Sequence, residues 1–382
     1  MIPYGRQWLD EDDKAAVRTV LDSDWLTQGP AIPRFEQVVA DYCGAAHGVA
    51  VCNATAALHL ACLALGVGPG DRVWTSPNTF VASANCARYC GAEVDFVDID
   101  PATLNLSPAR LAEKLAAAKR AGTLPKLVIP VHFSGRCCDM DAIGDLAEEY
   151  GFRIIEDASH ALGATDGPAL VGACRRSDMV VASFHPVKLV TTGEGGMVLA
   201  QDRTLADRVG LLRSHGITRD GALMEGPSDG PWYYQQIALG YNFRITDMQA
   251  ALGASQMRRL PDFIARRRAL VARYRAALAG LPLILPANDA DAESTWHLFV
   301  IRVAAERRKA VFEALRTAGI GVNVHYIPVH LQPDFARLGF RPGHCPEAER
   351  YYAEAITLPM FPAMSDAEQD EVVAAVKQAL QT

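Results

Sequence analysis

Two ionisable residues that follow apolar strands carry the strongest chemical signal in the sequence. Residues 153–156 form a predicted buried strand, and Asp157 comes directly after it. Lys188 follows a second buried strand, predicted over residues 179–184. Because ligands of open α/β sheets bind at the carboxyl ends of the strands, we expect both side chains at one ligand site. A lysine can form a Schiff base with an aldehyde and a carboxylate can pair with a pyridinium nitrogen, so the pair suits pyridoxal phosphate chemistry.

Each of these two residues has an ordinary structural explanation when it is considered alone. A single lysine usually lies at the surface, and an aspartate after a strand often caps the next helix. A third segment adds weight, because the predicted strand 48–52 leads into Asn53, Ala54, Thr55 and Ala56. Backbone amides at that helix start, with the Thr55 hydroxyl, predict a phosphate site, although plain capping by Asn53 or Thr55 explains the same residues.

An aromatic residue completes the set. Phe80 ends the segment Ser76-Pro77-Asn78-Thr79-Phe80, which follows the predicted strand 72–75. A pyridine ring could stack on Phe80 at that place, although packing in the core is the common role of a single Phe. The order of the helix start, the aromatic residue, the aspartate and the lysine favours the functional interpretation.

The elements that must position these residues follow from the hydrophobic pattern. Short apolar runs alternate with helical patterns over the first two thirds of the chain, which is typical of a sheet covered by helices on both faces. The predicted strands are residues 48–52, 72–75, 93–97, 126–132, 153–156, 179–184 and 196–200. The predicted helices include residues 54–65, 80–89, 108–121 and 140–150. Several strands are continuous runs of Val, Ile and Leu, as in parallel strands buried on both faces.

The pattern changes after about residue 250. A helical stretch over residues 258–281 is rich in arginine, which we interpret as a solvated helix face with acidic partners. The elements predicted after it are a strand at 296–303, a helix at 307–318, a strand at 321–326 and a last helix that starts at the capping box 365–368. The sequence therefore predicts a large domain over residues 1–255, including an N-terminal arm, and a smaller α+β domain over residues 256–382.

Composition and charge argue against several other classes of protein. Half of the 382 residues are hydrophobic, which allows a large core. The 37 Lys and Arg residues and 44 Asp and Glu residues give a net charge of −7, which does not favour nucleic-acid binding. The sequence has no apolar run of about 18 residues to span a membrane, and its start does not resemble a signal peptide. The nine cysteines include no C-x-x-C pair, so we expect no metal site, free thiols and a cytoplasmic protein.

Motifs spread over nearly the whole chain resemble, in order, those of the DegT/DnrJ family of sugar aminotransferases. They are Leu26-Thr27-Gln28-Gly29-Pro30, Asn53-Ala54-Thr55-Ala56-Ala57-Leu58, Glu156-Asp157-Ala158-Ser159-His160-Ala161-Leu162-Gly163, Ser183-Phe184-His185-Pro186-Val187-Lys188, Gly193-Glu194-Gly195-Gly196, Arg213-Ser214-His215-Gly216, Gly240-Tyr241-Asn242-Phe243-Arg244-Ile245-Thr246-Asp247-Met248-Gln249-Ala250-Ala251 and His325-Tyr326-Ile327-Pro328. Members of this family are fold-type I pyridoxal phosphate enzymes that act on nucleotide-linked keto sugars. The resemblance implies an α/β fold whose mostly parallel sheet is sandwiched by helices, with a smaller C-terminal α+β domain.

The resemblance also implies how the cofactor is held. Lys188 would form the Schiff base and carry the proton, Asp157 would pair with the pyridine nitrogen, and His160 would lie near the ring oxygen or near Asp157. Phe80 would stack on the ring. The implied phosphate contacts are Ala54, Thr55, Ala56, Ser183 and, across a homodimer that shares its active sites, Asn242 of the partner subunit. Ala56 stands where many relatives have Ser, which reduces that contact to a backbone amide.

For the substrate, the resemblance implies a UDP-linked 4-keto-6-deoxy sugar, with L-glutamate as the amino donor. The pairs Ser159-His160 and Thr191-Thr192 and the loop Arg213-Ser214-His215-Gly216 resemble the branch that serves pseudaminic acid biosynthesis. The implied substrate contacts are Tyr4, Asp24, Trp25, Leu26, Thr27, Arg213, His325 and Tyr326. Packing is the alternative role for Tyr326, and we interpret His185 and His215 as structural histidines.

Three alternatives accompany this interpretation. Another nucleotide-linked 4-keto or 3-keto sugar is compatible with the same motifs. Related dehydratases carry His in place of the lysine, so Lys188 argues against that reaction. A regulator that binds the cofactor without turnover would belong to a different class, but no helix-turn-helix extension or basic patch supports it.

Overall fold

The structure is a computed structural model that describes residues 1–381. The helices are α1 (Glu11–Leu21), α2 (Ala31–Cys43), α3 (Ala54–Ala64), α4 (Ala82–Tyr89), α5 (Pro108–Ala121), α6 (Met140–Tyr150), α7 (Arg203–Arg213), α8 (Asp247–Met257), α9 (Leu260–Leu278), α10 (Ala305–Thr317), α11 (Pro333–Arg337), α12 (Pro346–Glu354) and α13 (Asp366–Ala379). The strands are β1 (His47–Val51), β2 (Arg72–Thr75), β3 (Glu93–Phe96), β4 (Leu127–Ile129), β5 (Arg153–Asp157), β6 (Thr165–Asp166), β7 (Ala169–Leu170), β8 (Met179–Ser183), β9 (Gly196–Ala200), β10 (Ile217–Thr218), β11 (Gln235–Gln236), β12 (Phe299–Arg302) and β13 (Ala355–Leu358).

A seven-stranded sheet in the order β1-β9-β8-β5-β4-β2-β3 forms the centre of the fold. The neighbours β8, β5, β4, β2 and β3 run parallel, whereas β9 is antiparallel to both β8 and β1. β1 therefore points in the same direction as the five parallel strands. The seven strands predicted for this part of the chain are confirmed, although β4 ends at Ile129 rather than at residue 132, and a mostly parallel sheet is confirmed as well.

Helices cover both faces of this sheet because successive strand residues point to opposite sides. Ile155 packs in the cluster formed with α3 and α4, whereas its neighbour Ile154 packs in the cluster formed with α5 and α6. The caps of the helices set their starts at the sheet edge. The Asn53 side chain accepts the N–H of Ala56, which begins α3 directly after β1. The predicted helices α3 to α6 are confirmed, although α4 begins at Ala82 rather than at Phe80.

The C-terminal part of the chain has a second core. β12 and β13 pair antiparallel, and α9, α10 and α13 pack against them, with the ring of Tyr274 from α9 stacked on Phe299 of β12. The last helix begins with the predicted capping box of Ser365 and Glu368. Ile2 belongs to the same core and pairs with Ile320, so the N-terminal arm packs on the C-terminal elements. The division between residues 255 and 256 stays a prediction.

Two expectations for the C-terminal part are corrected. Residues 321–326 form an isolated bridge between Asn323 and Thr357 instead of a strand, because the chain then turns toward the cavity that His325 lines. The arginine-rich helix is not a uniformly solvated face, since Arg267 is 1% exposed. Its guanidinium donates to three backbone carbonyls, and burial lowers the pKa of Arg267 to about 10. Exposed neighbours such as Arg273 do pair with acids, as expected.

Residues 1–381 include no helix with both the length and the apolar character needed to cross a bilayer. The same stretch of chain holds no group of three His, Cys, Asp or Glu side chains that could bind a metal ion. The nine cysteines are unpaired thiols.

Candidate active site

A cavity of about 710 Å³ lies at the carboxyl ends of the parallel strands. Asp157 is the last residue of β5 and Ser183 the last of β8, and both line this cavity. Asn53, which follows β1, and Lys188, from the turn after β8, line it as well. The strand direction therefore brings together side chains that are far apart in sequence, at the sheet edge where the sequence predicted a ligand site.

The carboxylate of Asp157 is buried and held by two hydrogen bonds. Its Oδ1 accepts the backbone N–H of Ser159 at 3.0 Å, and its Oδ2 accepts the hydroxyl of Ser83 at 2.6 Å. Only 4% of Asp157 is exposed. These two hydrogen bonds fix the orientation of the carboxylate at the cavity wall.

Among the described residues that line the cavity, Lys188 is the one lysine or arginine. Burial disfavours the ammonium ion and lowers the pKa of Lys188 to about 8, while the charge of Asp157 acts in the opposite direction. A lysine with such a pKa is partly neutral near physiological pH, and the neutral amine is the form that attacks a carbonyl. Lys188 can therefore act as a nucleophile and as a proton carrier.

The start of α3 offers an anion site beside these two residues. Ala54 and Thr55 line the cavity and occupy the first turn, where backbone N–H groups have no partner within the helix. A Cβ placed on Gly196 would lie 2.6 Å from the nitrogen of Ala54, so only glycine allows β9 to approach the helix start this closely. The N–H of Ala56 already donates to Asn53, which removes this amide from the predicted phosphate contacts.

The residues of the cavity fit pyridoxal phosphate by the chemistry of their donors and acceptors. Lys188 supplies an amine for an aldehyde, and Asp157 supplies a carboxylate for a protonated ring nitrogen. The Thr55 and Ser183 side chains and the free amides at the start of α3 supply donors for a phosphate. Phe80, at 59% exposed, lines the same cavity with a ring that is free to stack on another.

His160 joins the large sheet to the C-terminal part across the cavity. Its Nδ1 accepts the backbone N–H of Ser134 at 3.3 Å, and its Nε2 lies 3.1 Å from Oη of Tyr326. An amide N–H can only donate, so the proton of the neutral imidazole is on Nε2 and is donated to Tyr326. Burial first, and then the charges of Lys188 and His325, lower the pKa of His160 well below its ordinary value. The ring partners of His160 are thus Ser134 and Tyr326 rather than Asp157.

This tautomer defines what Tyr326 presents to the cavity. Because Oη accepts from His160, the hydroxyl proton is free to be donated to a bound molecule. Burial raises the pKa of Tyr326, so this hydroxyl keeps its proton. His325, the preceding residue, hydrogen-bonds Thr357 through Nδ1 at 2.9 Å, and burial followed by the charge of Lys188 lowers the pKa of His325 to about 3.

The other predicted substrate contacts divide into two groups. Tyr4 lines the cavity together with His325 and Tyr326. The segment Asp24, Trp25, Leu26 and Thr27 does not line it in this chain, and the side chains of Trp25 and Leu26 are half exposed. Asn242 is also exposed and away from the cavity, next to Ser214 in an isolated bridge.

Arg213 is not supported as a substrate contact of this chain. Its guanidinium pairs with Glu36 and donates to the carbonyl of Ala50, a residue of β1, at 2.7 Å. Arg213 does not line the cavity. The structural role suggested for His185 also differs, because His185 is exposed and lines the cavity. His215 lies in a loop, where its φ is 62°.

Several residues of the cavity were not predicted from the sequence. Thr79, Glu194, Asn323 and Gln332 line the cavity, and Ser83 reaches Asp157 from α4. Thr79 and Glu194 belong to motifs that are recognisable in the sequence, and these motifs could have indicated that both residues lie near the site. No motif in the sequence indicates the positions of Asn323, Gln332 and Ser83, because these positions depend on packing between distant segments.

Comparison with known proteins agrees with this geometry. The sequence model of the DegT/DnrJ/EryC1/StrS aminotransferase family matches residues 7–377. SpsC of Bacillus subtilis, a spore coat polysaccharide biosynthesis protein, is 40% identical over 98% of this chain and 96% of its own.

Two solved structures cover 100% of this chain and 99% of their own, each with a TM-score of 0.90. Helicobacter pylori PseC, an aminotransferase involved in the biosynthesis of pseudoaminic acid, is 27% identical. The putative sugar aminotransferase Spr1654 of Streptococcus pneumoniae, in its pyridoxamine phosphate form, is 30% identical. Site geometry and similarity agree: the chain belongs to the DegT/DnrJ/EryC1/StrS aminotransferase family, and it is an enzyme that depends on pyridoxal phosphate.

Proposed function

We propose that this aminotransferase converts the C4 keto group of a UDP-linked 4-keto-6-deoxy sugar into an amine, with L-glutamate as the donor. The product would be UDP-4-amino-4,6-dideoxy-N-acetyl-β-L-altrosamine, so the chain would be the corresponding transaminase of pseudaminic acid biosynthesis. The observation that carries this proposal is the similarity to PseC over the whole chain. The cavity, with its single lysine and its aspartate, supports the transamination step.

The residues of the cavity have separate roles in this reaction. When bound, pyridoxal phosphate supplies the carbonyl that exchanges amino groups and a ring that takes up negative charge. Nζ of Lys188 would remove the proton from the α-carbon of glutamate and later deliver a proton to C4 of the sugar. Asp157 would hold the ring nitrogen in its protonated form, and Tyr326 would donate its hydroxyl proton to an oxygen of the bound molecule. Two successive half-reactions predict ping-pong kinetics.

We further propose that the enzyme is a homodimer in the cytoplasm and that its active sites are shared between the subunits. Asn242 is exposed in this chain, which suits a residue that reaches a second copy. Large apolar side chains are exposed on the preceding segment, including Trp232, at 69%, and Leu239, at 80%. Such side chains are typical of a surface that another chain covers. The unpaired state of the cysteines suits a reducing compartment.

The similarity to SpsC supports a second candidate substrate. SpsC is more similar in sequence than PseC, at 40% against 27% identity, and belongs to spore coat polysaccharide biosynthesis. A different nucleotide-linked keto sugar, with the keto group at C4 or C3, is therefore the alternative. The chemistry at Lys188 would be the same, and only the sugar contacts would differ.

The visible spectrum of the purified protein tests the donor half of the proposal. L-Glutamate should bleach the band of the lysine-bound cofactor and produce 2-oxoglutarate. Lys188→Ala should abolish this conversion, whereas Lys309→Ala, which removes a lysine side chain that is 85% exposed, should behave like the wild type. A band that no amino donor bleaches would instead favour a non-catalytic binder.

A panel of nucleotide-linked 4-keto and 3-keto sugars, added to the bleached enzyme, tests the acceptor half. The UDP-linked 4-keto-6-deoxy N-acetyl sugar should restore the band fastest, and NMR of the product should place the new amine at C4. Faster restoration by another sugar would favour the alternative substrate and leave the aminotransferase activity unchanged.

A further inference from the structure

Two buried hydroxyl groups connect the cavity wall to the back of Asp157. The Ser83 hydroxyl lies 2.6 Å from Oδ2 of Asp157, and the Thr79 hydroxyl lies 2.8 Å from that of Ser83. Ser83 is 0% exposed and Thr79 is 3% exposed. Thr79 lines the cavity, so the chain of hydroxyls starts at the cavity and ends on the carboxylate.

The direction of each hydrogen bond follows from counting donors. An ionised carboxylate only accepts, so Ser83 must use its single O–H on Asp157. Ser83 can then only accept from Thr79, which makes Thr79 the donor of the second bond. The Thr79 oxygen is left with lone pairs alone to offer to the cavity. Hydrogen bonds in such a series polarise one another, and the first bond is charge-assisted.

A purely local role for Ser83 is the competing explanation. A helical serine commonly bonds a carbonyl in the preceding turn, and the carbonyl of Phe80 lies 3.4 Å from the Ser83 hydroxyl. The Ser83 hydroxyl is closer to Oδ2 of Asp157, at 2.6 Å, than to this carbonyl, at 3.4 Å. Because hydrogen bonds to a carboxylate are both shorter and stronger, the bond to Asp157 dominates. The side chain of Ser83 on α4 therefore bonds the carboxylate of Asp157 rather than a carbonyl of the preceding turn.

We propose that Ser83 is a positioning residue for Asp157 and that Thr79 acts through Ser83. The Ser83 hydroxyl fixes one carboxylate oxygen and stabilises its charge, while the backbone N–H of Ser159 fixes the other. The remaining acceptor sites of Asp157 then face the cavity in one orientation. This inference depends on the proposed pairing of Asp157 with the ring nitrogen of the cofactor, and it assigns to Ser83 and Thr79 the task of maintaining that pairing.

Matched variants in the full-length enzyme test this proposal. Ser83→Ala removes the hydroxyl, whereas Ser83→Thr keeps it, and Thr79→Val with Thr79→Ser make the same comparison one residue further away. We expect Ser83→Ala to lower kcat and the affinity for pyridoxal phosphate by roughly ten- to a hundredfold, which corresponds to one charge-assisted hydrogen bond. The absorbance and circular dichroism of the bound cofactor should change, KM should change little, and Ser83→Thr should restore these properties.

The order of action gives a second result that a purely structural role would not produce. Thr79→Val should lower kcat in the wild-type background but have no further effect in the Ser83→Ala background, because its contribution passes through Ser83. Additive effects of the two variants would overturn the relay, which is the proposed action of Thr79 through Ser83. Wild-type kcat, affinity and cofactor spectrum in Ser83→Ala would overturn the role of Ser83.

Two controls keep these outcomes interpretable. If Ser83→Ala does not fold, the comparison of Thr79→Val with Thr79→Ser decides the proposal, because equal kcat and equal cofactor spectra in these two would overturn it. Asp157→Asn tests the underlying role of Asp157 by itself. Loss of activity in Asp157→Asn together with wild-type behaviour of Ser83→Ala would overturn the role of Ser83 and leave that of Asp157, whereas an active Asp157→Asn would overturn the proposed role of Asp157.

Discussion

Oη of Tyr326 lies 3.1 Å from Nε2 of His160, and this hydrogen bond joins segments that are 166 residues apart in sequence. The backbone N–H of Ser134 occupies the other ring nitrogen, so His160 is the donor and Tyr326 keeps its own proton for the cavity. A hydroxyl in that state can donate to an oxygen that gains negative charge, and it does so without prior loss of a proton.

The variant Tyr326→Phe tests this arrangement. It removes the donor and keeps the ring, so we expect kcat/KM for the keto sugar to fall roughly ten- to a hundredfold, the effect of one strong hydrogen bond. The absorbance of the bound cofactor should stay unchanged. Tyr352→Phe is the matched control, because Tyr352, on α12, does not line the cavity and its ring packs against Arg308 of α10. Equal kcat/KM values in Tyr326→Phe and the wild type would contradict the role of this hydroxyl.

The pKa of Lys188 predicts how the apoenzyme takes up its cofactor. Burial lowers the pKa of Lys188 to about 8, and only the neutral amine forms a bond with the aldehyde. The rate of reconstitution with pyridoxal phosphate should therefore rise with pH and level off above pH 8. An ordinary lysine would give a rate that continues to rise toward pH 10. Absorbance after rapid mixing measures this rate, and a profile without a plateau below pH 10 would contradict the lowered pKa.

Much of this site could be predicted from local sequence. Asp157, Lys188 and the start of α3 each follow an apolar strand, and the parallel direction of the strands then brings them to one edge. The pattern of Val, Ile and Leu is enough to identify such strands. Motifs that are continuous in the chain, such as Gly193-Glu194-Gly195-Gly196, carry information of the same kind.

Features that depend on packing between distant segments could not be predicted in this way. Arg213 and Glu36, which form an ion pair, are 177 residues apart, and no periodicity in the sequence indicates their contact. Arg267 stands between Arg266 and Arg268 in the sequence, yet of these three it is the one that is fully buried. The hydrogen bond from Ser83 to Asp157 could not be predicted from the sequence either, because its two residues are 74 positions apart and lie on different elements.

Buried neutral imidazoles predict that acid destabilises the apoprotein. The pKa of His325 is lowered to about 3, whereas an unfolded histidine has a pKa of about 6.5. Between these values the unfolded chain binds a proton that the folded chain does not, so the free energy of unfolding falls as the pH decreases below 6.5. This one group accounts for a loss of about 1.4 kcal/mol at pH 5.5.

Urea unfolding of the wild type and of His325→Gln, at pH 7.5 and at pH 5.5, measures this contribution. The loss of stability between the two pH values should be about 1.4 kcal/mol smaller in His325→Gln, which has no proton to bind. His344→Gln is a control, since His344 is partly exposed and pairs with Asp95. An equal loss in the wild type and in His325→Gln would contradict the neutral, buried state of His325.

Arg267 is predicted to stabilise the C-terminal core through the geometry of its guanidinium. Its buried Nη1 lies 3.1–3.2 Å from the carbonyl oxygens of Trp296, His297 and Met360, which share its two N–H donors. Lysine keeps the charge, but its Nζ lies one bond closer to the backbone than Nη1 of Arg267 and its ammonium is more strongly hydrated, so Arg267→Lys would leave carbonyls unpaired. We expect this variant to lower the free energy of unfolding by about 2–4 kcal/mol, as for a buried charged network that loses partners.

The matched control is Arg203→Lys, since the side chain of Arg203 is 76% exposed and pairs with Asp207 at the surface. It should change the free energy of unfolding by less than about 0.5 kcal/mol. Circular dichroism in increasing urea measures both variants. If Arg267→Lys is as stable as Arg203→Lys, the carbonyls have other partners and the guanidinium does not organise this core. If the expected difference is found, the segment 296–297, which carries the ring that packs 4.4 Å from His160, depends on Arg267 for its place.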